Sequence, residues 1–161
     1  MARPLFGGAL SAVIPPNAQD ISDLRQIPDN QEVFGNSQTD QSIIIELLEY
    51  QSQVQDADAA RYHFEDVAAS NKAADSGSWE IKGVEQLPQS ELSLQECSSA
   101  WLLSGVQLVS KFNEESPQQQ CNWKCSCCTV DTTRFPQCPA VLLSSQPWSV
   151  WIDDSLIHLK T

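Results

Sequence analysis

Apolar and polar residues change style along the chain. Around Gly7-Gly8, small and apolar residues alternate from Pro4 until Pro15-Pro16, which reads as a strand leaving a glycine turn. Asp20-Ile-Ser-Asp-Leu-Arg25 places acidic and hydroxyl residues where a helix starts, and Pro28 stops it after one short turn. Glu32-Val-Phe34 is a brief strand. The clearest periodicity covers residues 42–53, where Ile43, Ile44, Leu47, Leu48 and Gln51 recur at helical spacing. Asp40 or Ser42 can cap its amino end, while Glu46 and Glu49 fall outside the apolar stripe. An amphipathic helix is predicted there, packing on a sheet through Ile44, Leu47 and Leu48.

A second, shorter helix is expected over residues 56–62. In Arg61-Tyr-His-Phe-Glu-Asp66 strict alternation would set Tyr62 and Phe64 on one face and His63 and Glu65 on the other, making His63 a half-exposed structural histidine. Ser76-Gly77-Ser78 is a turn ahead of a strand over 79–87, and residues 98–112 read as another strand with a bulge at Gly105. Helices and strands interleave irregularly, which favours an α+β fold over a doubly wound parallel sheet. From Pro117 both periodicities fail, and Pro136, Pro139 and Pro147 interrupt the remaining chain. Residues 117–147 are expected not to pack as a sheet, and only 148–159 carry a weak apolar pattern.

Charge divides the chain at the same point. Residues 1–116 carry 18 Asp and Glu against 6 Lys and Arg, whereas 117–161 carry 3 against 3, so the whole net charge of -12 lies in the first segment. The chain thus divides into a domain over 1–116 and a divergent Cys/Gln/Pro-rich tail over 117–161. An acidic field repels phosphate backbones and anionic headgroups, which argues against nucleic acid and membrane surfaces and for a basic protein partner. No stretch approaches the ~20 apolar residues that span a bilayer. A soluble chain without membrane insertion is expected. Cys97 stands apart from Cys121, Cys125, Cys127, Cys128 and Cys138, a distribution unlike a disulfide scaffold, so the main body reads as reduced and intracellular.

Chemistry-bearing patterns are few. The tail cysteines could build a metal-binding module, but only Cys121 and Cys125 fit a zinc-knuckle spacing, and free thiols are the plainer reading. His63 and His158 are the only histidines, and neither sits in a catalytic pattern. Gly7-Gly8 is too short to cradle a phosphate and no lysine follows it. No enzyme activity, metal or cofactor is expected. The densest candidate for function is Pro28-Asp-Asn-Gln-Glu-Val-Phe34, a rigid loop rich in hydrogen-bond acceptors and suited to lysines or arginines on a partner.

These motifs carry a resemblance. Leu5-Phe-Gly-Gly-Ala9, Asp20-Ile-Ser-Asp-Leu-Arg25, Pro28-Asp-Asn-Gln-Glu-Val-Phe34, Asp40-Gln-Ser-Ile-Ile-Ile-Glu-Leu-Leu-Glu49 and His63-Phe-Glu-Asp66 resemble, in that order and spacing, the Ran guanine nucleotide release factor family. The likeness continues through Ala100-Trp-Leu-Leu-Ser-Gly105 to Lys111-Phe-Asn-Glu-Glu115, and so covers residues 4–116. It implies an α/β/α sandwich around an antiparallel sheet, PsbP-like and incomplete at the carboxy-terminal end, where the family's final strand and helix sequences are replaced. It also implies binding to the Ran GTPase, release of guanine nucleotide, a role in nuclear import, residence in nucleus and cytoplasm, and a monomer. Family members contact Ran through two carboxylates that match Asp29 and Glu32. Asn30 and Gln31 between them, with Asp23 and Arg25 upstream, complete the candidate partner-binding set. Vertebrate members are further linked to surface delivery of a voltage-gated sodium channel. A non-functional or dominant-negative truncated isoform is the alternative that the changed tail raises.

Overall fold

The computed structural model describes residues 2–39, 41–71, 77–91, 97–109, 119–130, 140–146 and 157–159. Its strands are β1 (Ala2–Leu5), β2 (Leu10–Val13), β3 (Ala18–Asp20), β4 (Gln31–Asn36), β5 (Ser42–Leu48), β6 (Trp79–Gln86), β7 (Cys97–Val109), β8 (Gln119–Val130), β9 (Ala140–Gln146) and β10 (Ile157–Leu159). One α-helix is described, α1 (Asp56–Ser70). Seven strands form an antiparallel sheet in the order β3-β4-β5-β9-β8-β7-β6, and a smaller sheet has the order β1-β2-β10. The architecture is α+β: apolar clusters cover the large sheet on both faces, one under α1 and one under the small sheet.

That double cover explains the largest departure from the sequence reading. Residues 42–53 are not a helix. Ser42–Leu48 is the strand β5, paired with β4 on one side and β9 on the other. Ile43 and Ile45 are buried in the cluster with Leu5, Leu10 and Phe34, with Leu47 packed against it. Leu48 joins the opposite cluster, with Ala60 and Phe64 of α1. A strand buried on both faces loses its polar alternation, and the resulting apolar run matches helical spacing by accident. Three consecutive isoleucines suit the pleated backbone because β-branched side chains are stiff at χ1.

The helix lies further on and is longer than expected, running through residues read as alternating. Asp56 and Asp58 complement the amino end of its dipole. Ala60, Phe64 and Ala68, four residues apart, form its buried stripe, and His63 is buried beside them rather than half-exposed. Asn71 closes the carboxy end, its N–H donating to the Val67 carbonyl at 2.9 Å.

Two side chains of β7 fasten this helix to the sheet. Ser99 Oγ donates to Asp56 Oδ2 at 2.9 Å. Fully buried Gln107 donates from Nε2 to the Phe64 carbonyl at 3.1 Å, and its Oε1 accepts from Asn71 Nδ2 at 3.2 Å. Gly105 makes room for the Phe64 ring: a Cβ there would lie 2.7 Å from Phe64 Cζ and 2.9 Å from the Glu80 carbonyl. Its role is therefore close approach, and the bulge expected at Gly105 sits on the partner strand instead. Register shifts between Ile81 and Gly83, with Lys82 as the extra residue. The shift returns Val84 to the inner face with Trp79 and Ile81, while Glu80, Lys82 and Glu85 stay exposed on this edge strand.

The amino-terminal segment is a hairpin rather than one strand. A single 3-10 turn at Phe6–Gly8 joins β1 to β2, and Leu5 pairs with Leu10. At the other end of the chain, the backbone of β8 and β9 lies in the middle of the large sheet, contrary to the expectation that 117–147 would carry no sheet. Backbone hydrogen bonding supplies strand structure there where side-chain periodicity does not announce it. Cys97 is disulfide-bonded, which differs from the reduced thiol expected of the main body. Cys138 and residues 147–156 lie outside the described residues.

Candidate functional site

The edge of the large sheet builds the candidate site. Strand β3 is short, and the chain leaves it at Ile21, whose N–H donates to the Val33 carbonyl at 3.1 Å. One tight turn follows. The amides of Leu24 and Arg25 both donate to the Ile21 carbonyl, at 3.0 and 3.2 Å. Asp20 orders the same turn, with its Oδ1 accepting from Ser22 N–H at 2.9 Å and Ser22 Oγ at 2.7 Å. These bonds, the Ser22 hydroxyl first and then its amide, hold the Asp20 carboxyl below its usual range, with Arg3 helping and burial opposing. Asp23, Leu24 and Arg25 are presented outward, and Leu24 is 80% exposed.

Pro28 then opens a second turn, closed by Gln31 N–H donating to the Pro28 carbonyl at 2.9 Å. Asp29 and Asn30 are exposed on it. Asn30 ties the turn to β5 twice: its carbonyl accepts from Leu47 N–H at 2.9 Å, and its Nδ2 donates to the Leu47 carbonyl at 3.0 Å. Gln31 Nε2 donates to Glu46 Oε1 at 2.8 Å across the β4–β5 pair.

Glu32 behaves differently from Asp29. It is half-buried, and its Oε1 accepts from the Phe6 amide at 2.6 Å, reaching 26 residues back to the β1–β2 turn. Two positions on, Phe34 is buried and the Arg3 guanidinium stands 5.2 Å from its ring centroid. The structure thus brings the six predicted residues into one loop and the start of β4. Asp23, Arg25, Asp29 and Asn30 face solvent, whereas Gln31 and Glu32 are engaged inside the protein.

Sequence and fold comparisons converge on one family. The family described as the Ran-interacting Mog1 protein matches residues 3–137. The chain belongs to the Mog1 family. A Danio rerio relative, "Ran guanine nucleotide release factor", is 81% identical over 116 residues, which is 72% of this chain and 63% of that protein. The chain spans about three-fifths of the length of the curated relatives it matches. Among solved structures, the Saccharomyces cerevisiae Ran-binding protein Mog1p aligns with a TM-score of 0.68 at 24% identity, covering 92% of this chain and 77% of the other. The cyanobacterial PsbP of Synechocystis sp. PCC 6803 aligns with a TM-score of 0.60 at 12% identity, covering 99% and 92%. The fold is that of Mog1 and PsbP.

Within this Mog1-family chain, the Phe6–Gly8 turn is the part of the neighbourhood that sequence reasoning missed. Gly7-Gly8 was legible as a turn, but its tie to Glu32 spans two strands and leaves no local signal. Among the described residues, no group of three His, Cys, Asp or Glu could hold a metal ion. Side chains of the tail cysteines lie outside those described.

Proposed function

We propose that the chain binds the Ran GTPase through the β3–β4 loop, with Asp29 as the outward acidic contact, Asn30, Asp23 and Arg25 exposed around it, and Gln31 and Glu32 supporting the loop from inside the protein. The observation that carries this reading is the presentation of Asp29: it is exposed on a turn that Asn30 bonds to β5 through both its backbone and its side chain. A carboxylate held on a rigid frame meets a lysine or arginine at a smaller entropic cost than a mobile one. The relatives, a Ran guanine nucleotide release factor and a Ran-binding protein by name, support the same partner.

Binding of this kind promotes nucleotide release by linkage. A partner that prefers the nucleotide-free GTPase weakens nucleotide binding by the factor that nucleotide weakens the partner. No chemistry by this chain is required. The reading places it in nuclear import, in nucleus and cytoplasm, as a monomer. On the family resemblance alone it extends to surface delivery of a voltage-gated sodium channel. The division near Pro117 is part of the proposal, supported by the charge asymmetry, and is a change of sequence character within one sheet, since β8 and β9 lie between β5 and β7 and the family match runs to residue 137.

Asp29→Lys tests the site. Losing a charge-assisted interfacial contact costs about 2–5 kcal/mol, so affinity for Ran falls by at least tenfold while thermal unfolding is unchanged. Equal affinity of the variant and parent would overturn the site. A folded parent that does not bind Ran would favour the truncated, non-functional isoform instead.

A further inference from the structure

We propose that Glu32 is a positioning residue whose carboxylate holds the Phe6–Gly8 turn in a left-handed shape, and that this turn is itself part of the surface that meets the GTPase. The inference rests on the Ran-binding reading above and deepens it. Phe6 has φ +49°, the only positive φ outside glycine among the described residues, and Gly7 and Gly8 follow at +67° and +96°. A bulky residue enters this region only where its surroundings over-determine it.

Two features of the structure do so. Buried Leu5 and Leu10, paired in register, pin both ends of the turn. Between them the Glu32 carboxylate accepts the Phe6 amide at 2.6 Å, a charge-assisted bond to a backbone group that the turn leaves without a strand partner.

Nothing on the inner side explains the glycines. A Cβ at Gly7 or Gly8 would meet no atom within 4 Å, so these positions serve conformation and leave the backbone uncovered. Gly7 and Ala9 are exposed. The turn therefore sets open backbone beside a carboxylate, next to the strand that Asp29 leads into. This suits a partner offering lysine or arginine donors.

If Glu32 acts through the turn, its acceptor oxygen matters more than its charge. Glu32→Gln keeps an acceptor for the Phe6 amide, Glu32→Ala removes it, and Gly8→Val disturbs the turn with Glu32 intact. The measurements are Ran affinity by titration, Phe6 amide exchange by NMR and thermal unfolding of each folded variant. We expect Glu32→Ala and Gly8→Val each to weaken binding on the order of tenfold, with the double variant no weaker than the worse single one, because residues acting as one unit are non-additive. Glu32→Gln should bind within about threefold of the parent and keep slow Phe6 exchange, which quickens in Glu32→Ala.

Gly8→Val binding like the parent would overturn the proposal. So would Glu32→Gln losing as much as Glu32→Ala while Phe6 exchange stays slow, since Glu32 would then act by its charge alone. If Asp29→Lys abolishes binding in the same series and Gly8→Val does not weaken it, the Ran reading stands and this inference fails. A folded parent that does not bind Ran overturns both.

Discussion

The helix-covered face of the large sheet and its β3–β4 end are held by different physics. Under α1, shape decides: the Phe64 ring fills the space that Gly105 leaves, in edge contact with Trp79 at 6.0 Å between centroids. Gln107 is satisfied internally there, serving both the Phe64 carbonyl and Asn71. At the β3–β4 end, hydrogen bonds decide, and they run from Asp20, Asn30 and Glu32 to backbone groups. One region spends its side chains on stability. The other uses side chains to shape loops whose outward residues stay free to meet a partner. Substitutions in the first should unfold the protein, and substitutions in the second should alter recognition.

The strongest way to break this contrast is Phe64→Ala. Truncating a fully buried phenylalanine costs about 3–5 kcal/mol through lost transfer energy and the cavity left behind. Chemical denaturation should show a large fall in midpoint, and a variant as stable as the parent would mean that the helix face is not the core described. Gly105→Ala probes the same contact from the sheet side. Its Cβ meets ring and backbone atoms together, so overpacking of about 1–3 kcal/mol is expected in the same measurement. A neutral result would show that the ring can retreat.

Acid sharpens the comparison next. Burial holds the His63 pKa below 6.5, opposed by the charges of Asp66 and Glu46. Unfolded chains take up this proton near pH 6.5 while the folded protein resists, so stability present above that pH is lost as pH falls through 6.5 towards the folded value. A melting temperature that declines across this window, and declines less in His63→Gln, is the expected signature. Asp20 acts lower on the scale. Its folded pKa is depressed below 3.8, so its contribution is present above that value and is lost only as pH falls through the folded one. The smallest expected effect is on the stability of Asp29→Lys, within about 0.5 kcal/mol because the side chain is exposed. A large loss would mean that the β3–β4 loop also carries the fold.

Legibility in the sequence tracked how one-sided each environment is. Strand β6 and the turn after Asp20 were readable because an edge position or a hydroxyl beside an acid leaves a local pattern, and the interior strand β7 was readable from its apolar run around Gly105, a residue that disfavours a helix interior. The Pro28–Gln31 turn was readable from proline, and Asp29 with it. Strand β5 was misread because both of its faces are covered, and the bulge was assigned to Gly105 because a strand glycine has two explanations that only its neighbours separate.

By itself, the sequence determined that the chain is α+β, that its acidity lies before Pro117, that Pro28 opens an acceptor-rich turn ahead of the strand holding Glu32–Phe34, and that its motifs match one family. Each is a property of local order or composition, and needs no knowledge of what lies opposite. Only the tertiary structure decided that Ile43–Ile45 is a strand, that His63 is buried, that Gly105 yields to Phe64, and that Glu32 faces the Phe6 amide while Asp29 faces solvent. These depend on contacts between residues far apart in the chain, where burial on two faces and hydrogen bonds across strands override local periodicity.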